Sequence, residues 1–144
     1  MAKGEGVDVR LPLTAGYRAG VALTARALLA DVALVLLFVV IGRRSHDESA
    51  AVVGLARTAW PFLAGLAVGW LAVGARHRPL RVAPEGVVVW LSTVAIGMLL
   101  RAFSGQGTEF SFIVVTLIVL GLFLLGWRAL LPVVRRLAPR GPAA

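Results

Sequence analysis

Asp31 is the residue in this chain best placed to do chemistry. It lies inside an apolar stretch, 21–42, whose other charge is Arg26. A charged side chain near the centre of a spanning helix costs about 2.5–3.5 kcal/mol on insertion scales, so such residues face a bundle interior and take a partner. At 1.5 Å rise per residue, Asp31 lies about 16 Å below a helix end at Gly42. Trp70 lies about 18 Å below Thr58 and Thr93 about 15 Å from Phe103, with Gly121 at similar depth. The arithmetic predicts one polar layer of Asp31, the Trp70 indole and Ser92 or Thr93. Read functionally, that layer is a proton or ligand site. Read structurally, it is a hydrogen-bond network, or Asp31 leans toward the helix start to meet Arg26.

A second cluster collects at the opposite end of the apolar runs. Arg43, Arg44, His46, Arg57 and Arg101 fall there, with Asp47, Glu48 and Glu109 nearby. The guanidinium fork suits carboxylates and phosphates. A converging set of these arginines would hold a small anion or a lipid headgroup, with His46 as a pH-responsive member. The plainer reading has helix-end arginines snorkelling to the interface and pairing with those carboxylates. Thr93, Gly97 and Arg101 recur every four residues, so they share one face of their helix.

Other chemistries lack their residues. The chain has no cysteine and two histidines, so no thiolate site or histidine-based metal cluster is expected. No nucleophile–base pairing, metal-ligand spacing or phosphate loop is present. The expectation is a protein that is not an enzyme and has no cofactor or metal.

Composition dictates what positions these residues. Of 144 residues, 59% are hydrophobic and 15% charged, and the mean hydropathy is +0.88. An average soluble domain carries about 25% charged residues. Continuous apolar runs of this length are helices, because barrel strands are shorter and alternate. The predicted fold is all-α, a four-helix transmembrane bundle with spans at about 21–42, 58–75, 86–103 and 110–131. Residues 1–20 form a leading segment, 21–131 the membrane domain and 132–144 an Arg/Pro-rich tail. The run 21–42 is followed by no small-x-small cleavage site, so it reads as a retained helix. Pro79 and Pro84 stop helices, and Gly105 and Gly107 make a tight turn.

Charge sets the orientation. Eleven of the fifteen basic residues fall on the side shared by the two ends and the middle loop. Arg43, Arg44, Arg57 and Arg101 fall on the other. The positive-inside rule then places both termini in the cytoplasm, in the cell membrane. The net charge of +8 reads as this signal and as affinity for anionic headgroups, not as nucleic-acid binding. Trp60 and Trp127 are expected at headgroup level, Trp70 and Trp90 deeper. An offset of 57 residues superposes Arg44 on Arg101 and Gly69-Trp70 on Gly126-Trp127, which suggests two parallel helical-hairpin repeats. Gly65, Gly69, Gly97 and Gly121 read as helix-packing positions, and Pro61 as a first-turn proline.

The stretches Gly42-Arg43-Arg44-Ser45-His46, Thr58-Ala59-Trp60-Pro61-Phe62, Gly97-Met98-Leu99-Leu100-Arg101 and Gly126-Trp127-Arg128 resemble domain-of-unknown-function family 3054, small four-span membrane proteins of bacteria and archaea. The resemblance covers about residues 28–130. It implies membrane location and fold, carries no activity, and picks out Arg43, Arg44, His46, Trp60, Arg101, Trp127 and Arg128 as motif positions. The intramembrane carboxylate makes a small transporter or permeation protein for a small solute or ion the first expectation; the alternative is a non-catalytic partner stabilising or regulating a larger membrane complex. Expected partners are the lipid bilayer and either a second copy, as a homodimer, or such a complex.

Overall fold

The computed structural model describes residues 10–44, 52–74 and 78–137, with the side chains of 10–15 and 44 left out. Four helices account for nearly all of it: α1 (Arg10–Arg44), α2 (Val52–Val73), α3 (Val87–Phe103) and α4 (Phe110–Leu137). A short irregular turn, Val82–Gly86, leads into α3, with Ala83 extended inside it. All four helices, α3 taken with that turn, are long and apolar enough to cross a membrane.

Helix ends differ from the sequence expectation where local signals were weak. α1 starts at Arg10 and runs through the segment read as a leader. α2 starts at Val52, so Pro61 lies inside the helix and not in its first turn. Proline has no N–H, so the Arg57 carbonyl loses its helical partner there. α4 continues through Pro132 to Leu137. The turn between α3 and α4 matches its glycines: Gly105 and Gly107 have φ of 67° and 75°, a region that favours glycine.

Each helix turns one stripe inward. Val35, Phe38 and Val39 come from α1, Ala59, Phe62 and Leu66 from α2, Val89, Val94 and Met98 from α3, and Leu120 and Leu124 from α4. On α4 the buried residues recur every four positions: Thr116, Leu120, Leu124 and Arg128. The outward surfaces stay apolar, as at Leu71, Leu122 and Phe103. Hydrocarbon solvates such faces, so packing rather than burial from water selects the inward stripe.

Glycine decides how closely helices approach. A Cβ on Gly65 would sit 2.8 Å from the Ser92 and Thr93 carbonyl oxygens, and one on Gly69 would sit 2.9 Å from Val89 Cα. The seam between α2 and α3 is therefore backbone against backbone. Gly97 accommodates the Phe62 ring and Gly121 the Trp90 indole, whose Nε1 donates to the Leu117 carbonyl at 3.1 Å. Gly126 has open space where a Cβ would stand. Gly65→Ala therefore wedges two helices apart, at about 1–3 kcal/mol, and lowers the unfolding midpoint in mixed micelles. Gly126→Ala leaves that midpoint unchanged or raises it, because alanine is the better helix former.

Candidate functional site

Toward the end of the bundle that holds the α2–α3 connection, three side chains meet around Asp31, and two carbonyls hold one of them, Arg128. Asp31 Oδ1 accepts from Arg128 Nη1 at 2.7 Å and from Trp127 Nε1 at 2.9 Å. Asp31 Oδ2 accepts from Arg128 Nη2 at 2.6 Å and from Trp70 Nε1 at 3.0 Å. The ion pair is bidentate, with Asp31 fully buried and Arg128 1% exposed. Arg128 also donates through Nε to the Pro79 carbonyl and through Nη1 to the Leu124 carbonyl. Its guanidinium carbon lies 4.7 Å from the Trp127 ring centroid. Two parallel N–H donors match the two carboxylate oxygens, the strongest form of charge-assisted hydrogen bond.

The backbone brings these groups together through the lean of helical side chains. Each points toward the N-terminus of its own helix. Asp31 on α1 leans toward the end where α4 finishes. Arg128 on the oppositely running α4 leans back from that end toward the bilayer centre. At 1.5 Å per residue, Asp31 lies about 20 Å from the Arg44 end of α1 and Arg128 about 27 Å from the Phe110 end of α4, and the two leans help a long arginine span the gap.

The sequence-predicted layer is thus redrawn. Asp31 and Trp70 are joined, as expected. Thr93 donates its hydroxyl to the Val89 carbonyl at 2.7 Å, and Ser92 packs at the α2–α3 seam against Gly65 and Gly69. Neither makes a hydrogen bond to the carboxylate. Arg26 is exposed and forms no ion pair with Asp31. Trp127, expected at headgroup level, turns its N–H onto Asp31. Arg128 was read for its charge and for its motif, not as the partner. The signal that could have found it is the need of any buried carboxylate for a cation, applied to the arginine nearest the end of the last span.

The arginines at the other end of the bundle do not form one open anion cradle. Arg43 Nη1 donates to the Gly54 carbonyl at 3.2 Å and to Thr58 Oγ1 at 3.1 Å, lying where a Gly54 side chain would be. Arg101, 9% exposed, donates to Gln106 Oε1 and to the carbonyls of Gln106 and Gly107. Its guanidinium carbon lies 4.5 Å from the Phe112 ring centroid and 5.9 Å from that of Phe62. Phe38 completes an aromatic cluster with these two rings. Arg57 is exposed on α2. His46, Asp47, Glu48 and the Arg44 side chain lie outside the described residues.

The Asp31 cluster holds helices together. A carboxylate accepting from four N–H groups has no lone pair left for a further donor. Removing one partner strands a buried charge. Arg128→Leu or Asp31→Leu alone is expected to lower stability by about 3–5 kcal/mol, whereas the double variant loses far less than the sum. A double-mutant cycle of unfolding in mixed micelles measures the coupling. Additive losses would show that the pair is energetically idle.

The comparisons agree with the architecture. No curated protein and no solved structure matches the chain. A family profile described as "Protein of unknown function (DUF3054)" matches residues 28–131, which takes in Asp31, Trp70, Arg101, Trp127 and Arg128. The chain is a multi-pass membrane protein that belongs to the DUF3054 family.

Proposed function

We propose that this protein is a non-catalytic membrane module that stabilises or regulates a larger membrane-embedded assembly, seated in the cell membrane with both termini cytoplasmic. The observation that carries this reading is the closure of the Asp31 cluster. The most chemically capable residue is fully buried, and all its acceptor positions are engaged. The core around it is filled by Phe62, Leu66, Leu120 and Leu124. What the molecule offers outward is apolar helix surface, the material of helix–helix association in lipid.

The simplest such assembly is a homodimer. A shallow apolar groove along α3 and α4, of about 610 Å³, is lined by Trp90, Leu117, Gly121 and Gly126 among others. Glycines on such a face let another helix approach closely. The hairpin repeat fits the same picture. Trp70 and Trp127, equivalent at the 57-residue offset, donate to the same carboxylate. Between α2 and α3 the glycine seam departs from strict equivalence.

Transport is the second reading, favoured by an ion pair buried inside the membrane. It requires the Asp31–Arg128 pair to open during a cycle. Proteoliposomes measuring proton and small-anion flux separate the two. The module reading expects tight vesicles, identical for wild type, Asp31→Asn and Arg101→Ala. Flux abolished by either substitution establishes transport. In whole membranes, Gly126→Cys in this cysteine-free chain is expected to give an oxidant-dependent disulfide dimer, or a cross-link to a partner protein. An unlinked monomer after oxidation removes the assembly reading for this face.

A further inference from the structure

We infer that the groove between α1 and α4, at the end near the α2–α3 connection, binds the phosphate of an anionic phospholipid. A cavity of about 160 Å³ lies there, lined by Arg26 of α1, Arg135 of α4, Leu23, Leu80, Leu131 and the Trp127 indole, among others. Its two arginines come from different helices and line one space. Neither Arg26 nor Arg135 has a hydrogen bond or ion pair among the described residues. Of the described carboxylates at this end, Asp31 is already occupied by Arg128 and the two indoles, and Glu85 forms no ion pair with Arg26 or Arg135. Among the described residues, Arg26 therefore has no carboxylate partner.

The cavity's size and lining choose the ligand. The groove is half open, so a phosphodiester fits between its walls while the acyl chains lie outside. The arginine fork takes phosphate oxygens in pairs. The rest of the wall is apolar, which suits a glycerol backbone and the first methylenes of an acyl chain. A free inorganic anion would gain nothing from that surface. Anionic headgroups concentrate on the cytoplasmic leaflet, the side assigned to this end by charge. This site is at the opposite end from the arginines whose forks the outer turns already occupy.

The test uses the full chain in mild detergent, titrated with phosphatidylglycerol or phosphatidylcholine and read by native mass spectrometry. One phosphatidylglycerol per chain is expected, with little phosphatidylcholine. Arg26→Gln with Arg135→Gln should weaken phosphatidylglycerol by about tenfold or more, while Arg57→Gln, an exposed arginine on α2 at the other end, leaves it unchanged. If the double variant loses its helical circular dichroism, Arg135→Gln alone must still weaken binding. Equal retention of the two lipids overturns the inference, as does equal loss in Arg57→Gln. Displacement of phosphatidylglycerol by millimolar inorganic phosphate would reassign the site to a free anion and equally overturn it.

Discussion

A carboxylate in hydrocarbon needs donors, and the bundle is arranged so that Asp31 receives them from every direction. α4 supplies Arg128 and Trp127, α2 supplies Trp70, and the α2–α3 connection holds Arg128 through the Pro79 carbonyl. In a low dielectric each of these contacts is strong, and a missing one is correspondingly costly. The cluster therefore works as a registration key. Apolar packing alone would tolerate α4 turned or slid by a turn. Four directional bonds on one carboxylate do not.

α3 is positioned by other means. At its middle, Gly65 and Gly69 of α2 admit its backbone so closely that the two helices have one way to fit. At its outer end, Arg101 reaches over the aromatic cluster of α2 and α4 and ties down the turn that follows. The two interior arginines thus illustrate two ways of keeping a cation in a membrane protein. Arg128 has an anion. Arg101 has backbone carbonyls and ring faces at a turn near the interface, where part of the hydration it gives up is replaced by dipoles.

Much of this was legible in the residues. Four spans, their order and the packing glycines follow from continuous apolar runs, from the prolines and glycines between them, and from small residues one turn apart. Asp31 announces itself because burial of a carboxylate is expensive, and Trp70 follows from depth. Helix ends were harder: 10–20 and 132–137 are helical without a long apolar run, and Pro61 and Pro132 sit inside helices. Arg128 was hidden by a one-dimensional measure. Axial depth places Cα atoms, whereas the contact is made by side chains leaning toward each other from antiparallel helices. Position groups the arginines of the other end, but Arg101 is drawn to the carbonyls of the turn after its helix and Arg43 to the Gly54 carbonyl and Thr58 hydroxyl of α2, contacts that charge counting does not see.

The ion pair joins residues 97 positions apart, the first span to the last. At about 5–20 residues per second, a ribosome makes Asp31 some 5–20 seconds before Arg128. Trp70 appears earlier than Trp127, so the carboxylate gains one indole donor while the guanidinium is still unmade. During that interval α1 carries an uncompensated anion, and the nascent chain must keep it near the interface, near water, or against the insertion machinery. The last helix therefore completes more than the bundle: it brings the cation that the carboxylate of the first one needs. A chain cut short before Arg128 would retain its first three spans with an orphaned charge among them, a chemical mark by which membrane quality control can recognise it.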